Sequence, residues 1–159
     1  MSPADFRTFN RLAEQMTMYH SILRKNWDEL YAGTAQASRK PSPLALVSLG
    51  MQFCQHLKGH HDIEEVYWFP VLGRKMKGFQ HGGFAKEQHK AMHKGLDALA
   101  AYMVECKRGD RELKRAEVRE IMDSFGVILW SHMDQEVVEL GADNMRKFWT
   151  KEEMLRFPF

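Results

Sequence analysis

Three segments of this chain place a histidine four residues before another histidine or a glutamate. The pairs are His60 with Glu64, His89 with His93, and His132 with Glu136. On an α-helix, residues i and i+4 lie on the same face, so each pair directs two metal-binding atoms toward one point. This spacing favours a fold in which several helices turn these faces inward, and it predicts a metal site between them.

Length and composition limit the class of protein. With 159 residues, the chain is expected to form a single domain with a real core over residues 1–159. The 23 basic and 21 acidic residues are well mixed, which argues against a nucleic-acid partner. We find no apolar run of membrane-spanning length and no signal-peptide pattern, so we expect no membrane partner and a cytoplasmic location. Cys54 and Cys106 lack metal-binding spacing and are expected to be reduced, buried thiols.

Apolar residues recur with helical periodicity over four stretches. We predict helices over about 3–31, 44–75, 84–106 and 112–140. Four helices with short loops pack most simply as an all-α, up-down-up-down four-helix bundle. Pro70 is expected to kink the second helix about one turn after its glutamates. The tail carries a capping-box pattern from Thr150 to Glu153, which predicts a short C-terminal helix, and its aromatic residues are expected to cover one end of the bundle.

Seven candidate ligands fall on or near the apolar stripes of the four helices. They are His20, His60, Glu64, His89, His93, His132 and Glu136. One tetrahedral zinc needs only four ligands, so this set predicts two metal ions with carboxylates free to bridge them. The absence of thiolates argues against a structural zinc or iron-sulfur site. Imidazole and carboxylate suit iron, manganese and zinc alike, so ligand chemistry leaves the metal open.

A single His-x3-Glu pair on a helix is more often a surface contact than a metal site. Here candidate ligands lie on or near the apolar stripes of all four predicted helices. Because buried ionisable groups are costly unless they are paired or bound to metal, this pattern favours a metal site. His56 and His81 lack such support and are expected to be surface histidines.

A ferritin-like di-iron bundle would carry Glu-x-x-His on two helices, and no acidic residue here precedes a histidine by three positions. The pattern instead resembles the hemerythrin family in its HHE cation-binding branch, over about residues 12–140. The matching residues are His20, the run His60-His61-Asp62-Ile63-Glu64-Glu65 leading to Phe69-Pro70, His89 with His93, and His132 with Glu136.

This resemblance implies a non-haem centre of two iron ions, bridged by carboxylates and by an oxo or hydroxo group, with zinc and manganese as alternatives. One open iron position would then bind O2 or another small diatomic ligand. Invertebrate hemerythrins place an aspartate where this chain has Val137, so the respiratory O2-carrier role is not carried over. Two registers are open on the second helix: His60 with Glu64, which we favour, or His61 with Glu65. In the favoured register His61 is an additional ligand or supports one.

Three functions are consistent with this centre. The first is binding of O2 or a related diatomic, or storage or sensing of iron; the second is a di-iron oxygenase or oxidase; the third is a structural di-metal protein.

Four glycines lie inside the predicted helices, where each is about 1 kcal/mol less favourable than alanine, so a structural explanation for them is expected. They are Gly50, Gly59, Gly95 and Gly126. We favour close helix packing over open space above the metals, and the oligomeric state is left open.

Overall fold

The computed structural model describes all 159 residues and is entirely helical, which confirms the all-α prediction. The helices are α1 (Pro3–Gly33), α2 (Pro43–Ile63), α3 (Phe69–Leu72), α4 (Phe84–Arg108), α5 (Arg115–Glu139), α6 (Ala142–Phe148) and α7 (Lys151–Leu155). A π-helical segment, Glu64–Trp68, joins α2 to α3, and a 3-10 turn, Lys77–Phe79, precedes α4. None of the helices combines the length and apolarity that crossing a bilayer would require.

The four long helices form a ring of packed neighbours. Helix α1 lies against α2 and α5, and α4 lies against the same two helices. Helices α6 and α7 pack on α1. Each long helix therefore turns one apolar stripe toward a shared interior, as its periodicity requires.

Local capping explains where the helices begin. The Ser2 and Ser42 hydroxyls accept hydrogen bonds from backbone N–H groups in the first turns of α1 and α2. Helix α7 carries the predicted capping box between Thr150 and Glu153. Helix α5 begins at Arg115, three residues after the predicted start. The reason is that the Lys114 N–H donates to the Tyr102 hydroxyl at 2.9 Å, which holds the backbone extended just before the helix.

The interior contains two apolar clusters, one on each side of the predicted ligands. The larger cluster includes Trp27, Phe53 and Phe125. The smaller contains residues from the start of α1, from α3 and from the tail. Along each long helix the candidate ligands fall at the junction of the two clusters, so polar groups form a layer inside an apolar bundle. Trp149 and Phe157 are buried in the smaller cluster, so the prediction that tail aromatics cover the bundle end is confirmed for these two residues. Phe148 is exposed, and the prediction is wrong for it.

The helical irregularity near Pro70 lies earlier than expected. The π-helical segment covers the glutamates themselves, and the Phe69 N–H donates to the Glu64 carbonyl five residues before it. Pro70 falls in the first turn of α3, where its missing N–H is tolerated. The backbone is therefore irregular directly behind the candidate ligands, and such π-helical insertions are frequent at functional sites.

The two cysteines differ in burial. Cys54 is buried and Cys106 only partly so, which makes the expectation of two buried thiols wrong for the second residue. Both thiols are free.

Candidate metal centre

Two overlapping groups of buried or nearly buried ligands lie between the clusters. The first contains His61, Glu64, His89 and His132, and the second contains His20, His60, Glu64 and Glu136. Within each group the potential ligand atoms lie within 4.8 Å of one another. Glu64 belongs to both groups, so a single carboxylate connects them.

Every long helix contributes to this arrangement. Helix α1 supplies His20, α4 supplies His89, and α5 supplies His132 with Glu136 one turn later. Helix α2 supplies two consecutive histidines at its last turn, and Glu64 is the first residue of the π-helical segment. The i+4 relation therefore aligns the ligands on α5 and the pair His60 and Glu64.

The first group is built around two histidines that face each other. The Nε2 atoms of His89 and His132 lie 3.0 Å apart, and the His89 Nε2 lies 3.2 Å from Glu64 Oε2. The opposite ring nitrogens already face acceptors: His89 Nδ1 is 3.1 Å from Glu65 Oε1, and His132 Nδ1 is 2.8 Å from Gln88 Oε1. These contacts favour a proton on each Nδ1, so in the neutral form of each ring the Nε2 lone pair points into the site.

The second group uses the other face of the shared carboxylate. Glu64 Oε1 lies 2.7 Å from His60 Nε2, while Oε2 faces the first group. Glu136 Oε2 lies 3.4 Å from His20 Nε2 and 3.5 Å from His132 Nε2. Glu136 Oε2 thus lies between a histidine of each group, while the two oxygens of Glu64 face one group each.

Several of these atoms have no hydrogen-bond partner, since the short contacts do not have hydrogen-bond angles. They are Nε2 of His20 and His60, both ring nitrogens of His61, and all four carboxylate oxygens of Glu64 and Glu136. Each unsatisfied buried polar atom destabilises a fold by about 1 to 3 kcal/mol. A cation placed among these donors would satisfy several of them at once, so the residues fit a metal site.

Three of the buried histidines are held in the form that binds metal. Burial, followed by the charge of His60, lowers the pKa of His20 to about 4. Burial, followed by the charge of His89, lowers the pKa of His132 to about 3 and that of His61 well below its ordinary value. These imidazoles are therefore neutral at pH 7, with lone pairs available for a cation.

The two carboxylates behave differently from each other. Burial alone raises the pKa of Glu64, but its contacts with His60 and His89 outweigh burial and hold that pKa well below its usual range. Burial, together with the charge of Glu64, raises the pKa of Glu136 well above its usual range. Without a cation, Glu64 is ionised and Glu136 keeps its proton, so metal binding would release that proton.

One predicted ligand lies outside both groups. His93 is exposed on α4, and the centre of its ring is 6.3 Å from that of His61. The buried stripe of α4 continues from His89 to Met92 and Leu96, so position 93 lies outside that stripe. His61 stacks on His89 instead, with ring centres 3.8 Å apart.

Hydrogen-bonding partners of the ligands were not all predictable. Glu65, considered as a competing ligand, accepts from His89. The sequence pattern did not predict Gln88 and Gln135: Gln88 accepts from His132 and donates to Gln135 at 2.8 Å. These bonds cross between α4 and α5, and no sequence spacing signals them. They orient the imidazoles, as groups behind metal ligands commonly do.

A groove of about 870 Å³ opens between α1 and the α2 to α3 segment and reaches this centre. Its walls are mostly apolar, and His60 and Glu64 lie at its inner end. One end of the ligand layer is therefore continuous with a surface groove.

Buried imidazoles and carboxylates, without thiolates, inside an all-helical bundle define a non-haem metal-binding protein. The sequence profile of the hemerythrin HHE cation binding domain matches residues 11–140, and the chain therefore belongs to the hemerythrin family. It is also similar to the dimeric xanthone biosynthesis cluster protein R11 of Cryptosporiopsis sp. (strain 8999), with 25% identity over 148 residues, covering 89% of this chain and 56% of that protein. The chain thus spans about half the length of that curated relative. No solved structure matches the chain.

Proposed function

We propose that this domain is an up-down-up-down four-helix bundle that holds two iron ions and binds O2 or another small diatomic ligand. The observation that carries the proposal is the placement of Glu64, whose two oxygens face two different sets of histidines. A carboxylate shared in this way is the arrangement of a binuclear centre. Membership of the hemerythrin family supports iron as the metal.

The proposed ligands follow the two groups. His61, His89 and His132 would hold one ion, His20 and His60 the other, and Glu64 and Glu136 would lie between them. His93, the eighth predicted ligand, stays a prediction to be tested by substitution. Two iron ions would supply the redox capacity needed to bind O2.

The protein would support this function by orienting the imidazole rings and by limiting access of charged reductants. Glu65 and Gln88 hold the rings of His89 and His132 with Nε2 toward the ions. The apolar clusters shield the ligand layer on two sides, and the groove that reaches it has mostly apolar walls. Both features disfavour charged reductants at the centre, which favours reversible binding over further reaction. Binding of a diatomic is thus the simplest function that the ligand layer supports.

Metal analysis and an optical titration test this proposal. After expression with added iron, the purified protein should contain about two metal ions per chain, because seven donors exceed the needs of one ion. Exposure of the reduced protein to O2 should change its absorption spectrum, and removal of O2 should restore it. A content of one ion or none would contradict the binuclear centre, and an irreversible spectral change would contradict reversible binding.

A second candidate is a di-iron oxygenase or oxidase that acts on a small organic molecule. The groove that reaches His60 and Glu64 favours it, since a diatomic ligand alone requires no such space. The relative whose name refers to a dimeric xanthone biosynthesis cluster is consistent with organic chemistry of this kind. Rapid single-turnover O2 consumption coupled to modification of an organic compound would favour this function over reversible binding.

A further inference from the structure

We infer that the groove between α1 and the α2 to α3 segment binds a neutral, mostly apolar organic molecule, with one end beside His60 and Glu64. The inference rests on the proposed metal centre only for what lies at the inner end. The groove, its lining and its shape are properties of the chain itself.

The size of the groove argues for an organic ligand. Its volume is about 870 Å³, within the usual range of small-molecule pockets of about 300 to 1,000 Å³. A diatomic ligand needs little more than the volume of one water molecule in the liquid, about 30 Å³. The groove is thus more than an order of magnitude larger than access of O2 would require.

The lining specifies the chemistry of that ligand. Apolar and aromatic side chains dominate the walls, among them Met16, Leu23, Ile63, Val71 and Phe159. No lysine, arginine or aspartate lines the groove, and His60 and Glu64 belong to the ligand layer. The remaining histidine of the lining, His56, has its Nδ1 3.0 Å from the side-chain nitrogen of Asn26. An anionic ligand would therefore find no fixed cationic partner there, which favours a neutral molecule.

Polar side chains line both walls of the groove, from α1 on one side and from the α2 to α3 segment on the other. Gln15 donates to the Tyr19 hydroxyl at 2.9 Å, and the Tyr67 side chain is exposed at the rim. These groups can accept or donate single hydrogen bonds to a hydroxyl or carbonyl on a ligand. A largely apolar wall with a few oriented polar groups is the common composition of small-molecule sites.

Gly59 gives independent support for open space. The other glycines inside the long helices have packing reasons, because an added Cβ would lie 2.5 Å from Met103 at Gly50, 2.4 Å from Phe125 at Gly95 and 2.9 Å from Trp27 at Gly126. At Gly59 an added Cβ would meet no atom within 4 Å. Packing therefore does not explain this helix-weakening residue, which lines the groove immediately before His60.

The rim of the groove presents apolar surface that a bound molecule would cover. Ile22 and Ile63 are each 54% exposed, and Tyr67 is 64% exposed. These side chains come from α1 and from the region around the π-helical segment, so they face one another across the opening. An exposed apolar patch beside a concave site is typical of a ligand-binding groove.

Binding of a neutral fluorescent probe tests the inference. N-phenyl-1-naphthylamine should bind the purified protein, with enhanced fluorescence. Gly59→Phe fills the inner end of the groove and should raise the Kd of the probe at least about tenfold. Ile63→Lys places a charge at the rim and should weaken binding in the same direction. Val127→Lys is the matched control, since Val127 is 80% exposed on α5 and does not line the groove, and it should leave the Kd unchanged.

Gly59→Ala serves as a folding control, because it adds only one methyl group in open space and should retain the helical circular dichroism and the probe affinity. Metal content is measured in every preparation. Absent probe binding to the wild type, or equal affinity in Gly59→Phe and wild type, overturns the inference whatever the metal content. Intact probe binding in a protein that holds no metal contradicts the proposed function alone. A change of oligomeric state in Ile63→Lys without a change in probe affinity would mark this face as a protein interface and also overturn the inference.

Discussion

The Nε2 atoms of His89 and His132 face each other at 3.0 Å, although the Nδ1 atom of each ring already lies beside an acceptor. Glu65 and Gln88 are those acceptors, so in the neutral form of both rings the two facing atoms carry lone pairs. Two lone pairs repel at this distance unless a proton or a metal ion lies between or beside them. This relationship ties the stability of the metal-free protein to its metal affinity.

Substitution of Glu65 should weaken metal binding without removing a ligand. Glu65→Gln leaves a weaker acceptor for the His89 Nδ1, and loss of such a contact typically lowers metal affinity about 10- to 100-fold. Competition with a chelator on the purified protein measures the change. Glu87→Gln is the control: Glu87 is exposed on α4 and pairs only with Lys90, so its substitution should have no effect. Equal affinities for Glu65→Gln and wild type would show that the contact does not orient the ligand.

The two registers on the second helix make opposite predictions. Glu64→Ala should remove most bound metal, because both oxygens of Glu64 face the proposed ions. Glu65→Ala should retain much more, since the carboxylate of Glu65 contacts only the outer nitrogen of His89. Metal content by elemental analysis ranks the two variants. The reverse ranking would move the site by one residue, to His61 and Glu65.

His61 and His93 provide a matched pair of substitutions. His61→Ala should lower metal occupancy strongly, because both of its ring nitrogens are buried without hydrogen-bond partners. His93→Ala should leave occupancy near that of the wild type, since His93 is exposed and lies outside both groups. Loss of metal in His93→Ala would indicate that α4 rotates to bring this ring inward when metal binds.

Glu136→Gln should stabilise the metal-free protein while reducing its metal affinity. The pKa of Glu136 is raised by burial and by the charge of Glu64. As the pH rises above about 4.5, the unfolded chain ionises this carboxyl while the folded protein does not, so the folded protein loses stability relative to the unfolded chain. At about pH 7 the substitution should raise the free energy of unfolding of the metal-free protein by roughly 1 to 3 kcal/mol. Urea denaturation after chelation measures it, and a destabilised variant would contradict the pKa assignment.

Acid should destabilise the metal-free protein through its buried histidines. Burial lowers the pKa of His20 to about 4 and of His132 to about 3. Between about pH 6.5 and 4.5, the unfolded chain therefore takes up protons that the folded protein does not, and stability falls by up to about 1.4 kcal/mol per pH unit for each histidine. Metal should also be lost below about pH 5 to 6, since only neutral imidazoles bind it.

This measurement should be made on the Glu136→Gln variant. In the wild type, the raised pKa of Glu136 makes the free energy of unfolding increase as the pH falls, which opposes the effect of the histidines. His20→Leu should flatten the pH dependence, and His81→Gln, at an exposed position, should not. A pH-independent free energy of unfolding over this range would mean that the buried histidines take up protons at the same pH in the folded protein as in the unfolded chain, which would contradict their lowered pKa values.

Helical periodicity and i+4 spacing were enough to predict the all-helical fold and the residues that meet at the centre. His20, His60, Glu64, His89, His132 and Glu136 all lie in the two groups. The reason is that these spacings determine which face of a helix a residue occupies, and an apolar stripe determines which face is buried.

Local spacing could not resolve the choice between neighbouring positions. His93 satisfies the i+4 rule with His89, yet the buried stripe of α4 continues through Met92, so His93 is exposed. His61 lies next to His60 and is nevertheless buried among the ligands. A helix can be rotated by one residue without changing its sequence pattern, and only packing against its neighbours decides that rotation.

The sequence by itself determined the helices, the ligand types and the family, because each depends on residue identity and spacing along one chain. Only the tertiary structure decided that Glu64 faces two sets of histidines, that Gln88 supports His132, and that Gly59 borders open space while the other helical glycines are packed. Those relations join atoms on different helices. They depend on how the helices rotate and approach one another, which the free energy of packing the whole core sets and no local pattern encodes.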